Sequence, residues 1–238
     1  MPRFSILIPA RNEEYELPRC LASIRAAAEP FPGEVEIVVA LNRCTDRTEA
    51  IAREHGATVV REDARNLARI RNAAARVATG EVIVTIDADS RMSANMLSEI
   101  DRLLRSGRYV GGGTRIRTER VSAGIVATGL VLVVIVGLRH GVSAGLFWCL
   151  REDFEAIGGF NEALVSVEDV DFARRLKARG KAVGKRFATI TRAWIVTSCR
   201  KFDIFGDWFL FRNPRMVFRM FRRQSQEDAD RFWYELKR

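Results

Sequence analysis

The sequence is poor in the residues that build metal clusters and covalent staples. Its four cysteines, Cys20, Cys44, Cys149 and Cys199, are scattered, and no CxxC pair or Cys/His cluster occurs. That pattern argues against a zinc site and for a reduced, cytosolic compartment. No secretory leader is evident, because the apolar run Phe4–Ile8 is short and stops at Pro9. Internal repeats and low-complexity stretches are lacking. The two histidines carry little: His55 sits where a helix should end, and His140 beside Gly141 is either structural or a spare metal ligand. What is present is a chain of 238 residues, 47% apolar, with mean hydropathy near zero. It is long enough to bury a real core and too apolar to be disordered. A formal net charge of +9 favours anionic partners: nucleotide phosphates, an acidic membrane surface or nucleic acid.

Apolar periodicity predicts strands over Phe4–Ile8, closed by Pro9, then Val35–Leu41, an edge-like 57–61 and 82–86. Helices are predicted over Leu17–Ala28, 48–55 and 67–79. This alternation implies an α/β fold, a Rossmann-like, mostly parallel sheet flanked by helices. Right-handed crossovers then gather the loops that follow the strands along one edge. Those loops carry Arg11, Glu13, Asn42, Asp46, Asp87 and Asp89, with Arg69 and Arg71 on the helix before the fourth strand. Asn42 and Asp46 also suit ordinary turn and cap chemistry, and the two arginines also suit a solvated helix face.

The run Val82–Ile86 is β-branched and uncharged, as a strand buried on both faces requires, and it stops at Asp87-Ala88-Asp89. In extended geometry the two carboxylates leave on one side and Ala88 on the other. Such a pair can hold a hard divalent cation, Mg2+ or Mn2+, with positions left for water and phosphate. The simpler reading is a strand end that caps a following helix. Further on, Glu168-Asp169 opens a helix predicted over 170–179, closed by Gly180 and capped by Ser166. Its carboxylates would complement the helix dipole whether or not they do chemistry.

The order of these motifs resembles the inverting family-2 glycosyltransferases of the GT-A fold. The matching stretches are Ile8-Pro9-Ala10-Arg11-Asn12-Glu13-Glu14, then Leu41 to Thr48, Arg71-Asn72, Gly80-Glu81 and Asp87-Ala88-Asp89. Gly158-Gly159-Phe160-Asn161-Glu162 and Glu168-Asp169-Val170-Asp171-Phe172 follow. The resemblance implies a nucleotide-diphospho-sugar donor bound by Pro9, Arg11, Glu13, Asn42, Arg71, Asp87 and Ala88. It implies a divalent cation on Asp89, an acceptor hydroxyl near Glu168 and Arg200, and Asp169 as the base that deprotonates that hydroxyl. Residues 1–110 would form the donor half and 111–199 the acceptor half of one domain, with 200–238 a basic aromatic helical segment. Two positions depart from the family. Asn42 stands where an aspartate often meets the nucleobase. No histidine follows the last core strand, where many members have a metal ligand; Arg200 and Lys201 stand there instead and could stabilise a leaving diphosphate directly.

Two stretches bear on partners. Residues 121–138 form an uncharged run of 18, expected as a buried or membrane-surface helix, since a span here would split the catalytic halves. Residues 200–223 hold seven basic and two acidic side chains interleaved with aromatics. After Pro214, Arg215, Arg219, Arg222 and Arg223 share one helical face and Val217, Phe218 and Phe221 the other. That suits an anionic membrane surface, the inner face of a bilayer, or equally packing on the core. A nucleotidyltransferase is a rival class, but it would usually show a glycine-rich loop where Pro9-Ala10-Arg11-Asn12 stands. A non-enzymatic basic module is another, and it leaves the ordered carboxylates unexplained; nucleic acid is not an expected partner.

Overall fold

The computed structural model describes residues 1–132, 143 and 145–215. His140, the end of the uncharged run and the arginine-rich stretch after Arg215 lie outside the described residues.

The chain alternates β1 (Phe4–Ala10), α1 (Leu17–Ala28), β2 (Val35–Leu41), α2 (Thr48–Glu54), β3 (Thr58–Arg61), α3 (Leu67–Val77) and β4 (Val82–Thr85). It continues through β5 (Ser90–Met92), α4 (Met96–Arg105), β6 (Tyr109–Thr118), α5 (Ala123–Leu132), β7 (Phe147–Leu150) and α6 (Arg151–Ala156). Then come α7 (Glu168–Ala182), β8 (Arg186–Thr197), α8 (Arg200–Phe205) and α9 (Phe209–Arg212). The strands form one sheet in the order β3-β2-β1-β4-β7-β6-β8-β5. The parallel arrangement holds from β3 to β4 and again for β6–β8, whereas β4–β7, β7–β6 and β8–β5 are antiparallel.

Both faces of the sheet are covered, which explains the uninterrupted apolar character of β1, β2 and β4. Ile6, Ile8, Val39, Val84 and Ile86 pack with Leu21 and Ile24 of α1 and with Leu97 and Ile100 of α4. On the opposite face Leu7, Val38 and Ile83 pack with Ala68 and Ala74 of α3 and with Phe172 and Leu176 of α7. The three consecutive glycines of β6 sit where strands crowd: a Cβ at Gly112 would collide with the backbone of Ala188.

Several boundaries differ from expectation for identifiable reasons. β1 continues through Pro9 to Ala10, because Pro9 lies beyond the end of the β1–β4 ladder at Leu7–Thr85 and its missing N–H is not needed there. Gly180 does not close α7; the helix runs on to Ala182, and Gly180 allows close approach to Val110 and the Lys185 carbonyl. Val167, not Ser166, occupies the N-cap of α7, and no side chain caps it. No helix follows Asp87-Ala88-Asp89: the chain enters β5, so the helix-cap reading of that pair falls.

Candidate functional site

The ends of β1, β2 and β4 meet the start of α7 and the end of β8, and the charged residues singled out above converge there. Ile86 donates its N–H to Leu7 O at 3.1 Å, which fixes Asp87 just past the sheet edge. Ala88 is 3% exposed and packs into the core. Its neighbours stay accessible, with the Asp87 side chain 47% and the Asp89 side chain 22% exposed. The main chain at Asp89 is pinned by Ser198 N–H on its carbonyl at 3.1 Å.

Two arginines organise the carboxylates. Arg71 of α3 is no solvated-face residue: its side chain is 6% exposed. It donates from Nη2 to Asp87 Oδ1 and from Nη1 to Glu168 Oε1, both at 2.9 Å. Its guanidinium also lies 5.2 Å from the centre of the Phe160 ring. Arg69, by contrast, is half exposed near Glu62 and Glu162. Arg200 forks onto Glu13, each terminal nitrogen 2.9 Å from a carboxylate oxygen. Its Nη2 also stands 3.6 Å from Asp89 Oδ2.

The remaining residues fall in the supporting loops. Asp46 accepts from the Thr48 N–H and hydroxyl and from Glu14 N–H, so its carboxylate ties the β1 and β2 loops together. Asn12 Oδ1 accepts from Thr45 N–H to the same end. Asn42 is buried and donates both amide hydrogens, to Glu62 O at 2.6 Å and Ala64 O at 2.9 Å, which leaves its Oδ1 buried and unbonded among the described residues. Arg11 is half-buried in the same loop. Among the described residues, the non-glycine residues with positive φ are Asn12 and Arg43 in these loops and Val167 at the start of α7. For the β-branched Val167 that conformation is costly, and such strain collects at working sites.

Asn72 is the residue that sequence reasoning left without a role. Its amide donates to Phe160 O and Glu162 Oε1, and its Oδ1 accepts from Phe160 N–H, all at 2.9 Å. Gly159 has φ 64°, and a Cβ there would press on Asn72 Oδ1. The pairing of Arg71-Asn72 with Gly158-Gly159-Phe160 was present in the sequence as two motifs; only the fold shows that one clamps the other.

The charge balance sets the acidities. Burial, seconded by Asp87 and Glu13, pushes the Asp89 carboxyl up to about 6 against the pull of Lys201 and Arg200. Burial also pushes Glu168 and Asp169 up, and Arg71 opposes it in both. Asp169 Oδ1 accepts from Val170 N–H at 2.7 Å, which favours the ionised form. Among the described residues no group of three or more His, Cys, Asp or Glu side chains is placed to hold a metal ion. The single carboxylate of Asp89 fits a cation of the magnesium type, which draws most of its ligands from phosphate and water. The four cysteines are all free.

Comparison with known proteins agrees with this fold. The family described as Glycosyl transferase family 2 matches residues 5–127. A hexosyltransferase of low-salt glycan biosynthesis, Agl6 of Haloferax volcanii, is 33% identical over 106 residues, 44% of this chain and 25% of its own length. An uncharacterized glycosyltransferase of Mycobacterium tuberculosis is 32% identical over 111 residues, 47% of this chain and 48% of its own. The match therefore spans a quarter to a half of these relatives. Among solved structures, S. aureus TarS 1–349 in complex with UDP-GlcNAc superposes with a TM-score of 0.67 at 16% identity, covering 98% of this chain and 70% of that one. The mannosyltransferase PcManGT of Pyrobaculum calidifontis, in complex with GDP-Man and Mn2+, gives 0.63 at 23% identity, covering 82% and 56%. The fold is that of the GT-A enzymes, and the chain belongs to glycosyl transferase family 2.

Proposed function

We propose that this chain moves a sugar from a nucleotide-diphospho-sugar to an acceptor hydroxyl in a single displacement that inverts the anomeric centre. The observation that carries the proposal is Arg71, which bonds Asp87 on the donor edge and Glu168 beside Asp169 on the acceptor edge. One side chain thus ties the two proposed chemical centres together. Residues 1–110 serve as the donor half and 111–199 as the acceptor half.

In this mechanism Pro9, Arg11, Glu13 and Asn42 line the nucleotide, and the buried, unbonded Asn42 Oδ1 supports acceptance of a base N–H. Arg71 holds Asp87 toward ribose or sugar. Asp89 would hold a divalent cation, Mg2+ or Mn2+, which supplies positive charge to the leaving diphosphate. The PcManGT complex with Mn2+ lends support to a metal. Asp169 takes the acceptor proton; Arg71 and the Val170 N–H favour its ionised form, and burial makes it a stronger base. As the acceptor oxygen bonds the anomeric carbon from one face, the bond to the diphosphate breaks on the other and the nucleoside diphosphate leaves with the electron pair. Arg71 and Asn72 keep the Phe160 loop and Glu168 in place throughout.

An anionic membrane surface, reached from the cytoplasmic side, is the proposed partner, and with it a lipid-linked acceptor. Val121, Val126, Leu130 and Val131 in and beside α5, with Ile204, Trp208 and Phe211 of the α8–α9 region, expose their side chains. Gly124 packs on the backbone of Asp207, so these apolar groups neighbour one another. No helix among the described residues is long and apolar enough to cross a membrane. Incubation with a panel of nucleotide sugars and simple acceptors, with the product's anomeric configuration read by NMR, tests the reaction. An inverted product is expected; a retained configuration or nucleotidyl transfer overturns the proposal.

A further inference from the structure

We infer that Arg200 is a resident cation for the donor diphosphate, able to hold it without a metal ion. The inference rests on the nucleotide-sugar reading above. Arg200 begins α8 directly after β8 and reaches across the site to the β1 loop, 187 residues away in sequence. Both terminal nitrogens are gripped by Glu13 at 2.9 Å, and the Glu13 side chain is only 5% exposed. The Glu13 N–H is itself fixed on Thr48 Oγ1 at 2.7 Å. A guanidinium held on a buried carboxylate is preorganised, with little entropy left to lose when a phosphate arrives. The fork uses one N–H of each terminal nitrogen, and with the side chain 27% exposed the others remain for a phosphate.

The same guanidinium lies 3.6 Å from Asp89, the one carboxylate assigned to a divalent ion. An ion on Asp89 and the Arg200 charge would therefore meet at short range, in a setting where like charges repel. They are alternatives for neutralising one diphosphate rather than additive partners. The other carboxylate of the pair, Asp87, is already partly neutralised by Arg71 through Oδ1.

Calorimetric titration with uridine and guanosine diphosphate, in EDTA and in excess Mn2+, tests the inference on wild type, Arg200→Gln and Arg200→Lys. Wild type is expected to bind at least one diphosphate in EDTA. Arg200→Gln should weaken that metal-free binding by about tenfold or more, the worth of one charge-assisted contact, and weaken binding in Mn2+ far less. Arg200→Lys, which keeps the charge but loses the fork onto Glu13, should bind in EDTA between wild type and Arg200→Gln. Wild-type binding that needs Mn2+, or an unchanged Arg200→Gln in EDTA, overturns the inference and leaves the nucleotide-sugar reading standing. Absence of binding in either condition overturns that reading itself. Circular dichroism and melting curves verify folding; should Arg200→Gln not fold, the wild-type EDTA arm and Arg200→Lys decide.

Discussion

Arg71 and Glu168 are 97 residues apart in sequence and meet at 2.9 Å, with side chains 6% and 10% exposed. The pair stitches the helix before the donor strand to the helix that carries Asp169. Removing one member strands the other in a site from which water is largely excluded. Arg71→Leu should therefore cost about 3 kcal/mol of stability, more than Glu168→Gln, which leaves a neutral partner able to accept a hydrogen bond. Urea unfolding of both variants is the measurement; a loss below about 1 kcal/mol for Arg71→Leu would show the pair to be incidental.

Asp89 should reveal itself in the pH dependence of stability. Its pKa is raised in the folded protein, to about 6, from an unfolded value of about 4. The folded state thus keeps a proton that the unfolded state gives up, and Asp89 costs stability progressively as pH rises from about 4 to 6. Asp89→Asn removes that cost. Its stability gain over wild type should be small at pH 4, grow to pH 6 and level off at no more than about 3 kcal/mol. A gain that is flat over this range contradicts the reading.

Much of this arrangement was legible in the sequence, and the limits have physical causes. The strands β1 and β4 announced themselves because a strand buried on both faces has few options but apolar, uncharged residues. Asp87 and Asp89 stood out for the same reason, as the first charges after such a run. The second half of the sheet did not: β5 has three residues, β6 has three glycines, and β8 alternates arginine and threonine with apolar positions. Its pairing is non-local and mixed, antiparallel for β4–β7, β7–β6 and β8–β5 but parallel for β6–β8, so no short window carries it. Arg71 was visible as a basic residue on a helix, yet its burial depends on α7 and the Phe160 loop packing over α3. The pairing of Arg200 with Glu13, 187 residues away, could not be read from the sequence, because neither residue's neighbours in sequence point to the other.

Val167 holds φ 58° just before Glu168 and Asp169. Val167→Gly relieves that strain, and the gain exceeds glycine's entropic cost by about 0.5–1 kcal/mol. The same change loosens the start of α7, so the melting temperature should rise while turnover falls. If Val167→Gly lowers stability and leaves turnover intact, the valine is held there for packing and not for the base.

The exposed apolar groups of α5 and the α8–α9 region predict adsorption to vesicles. Sedimentation with vesicles of anionic lipid should capture the wild-type chain, and neutral vesicles should capture less, since the basic excess contributes. The double change Leu130→Ser and Trp208→Ser should reduce capture severalfold without unfolding the protein. Equal capture of wild type and variant would remove the membrane from the account.

The most direct test of the whole account is Asp169→Asn, assayed for nucleoside diphosphate affinity by calorimetry and for sugar transfer by turnover. If a general base faces the acceptor across the site from Asp89, affinity should stay within about threefold while turnover drops by about a hundredfold or more. Parallel loss of both, or transfer that survives, would mean that Asp169 does not take the acceptor proton and that the displacement proposed for this site is wrong.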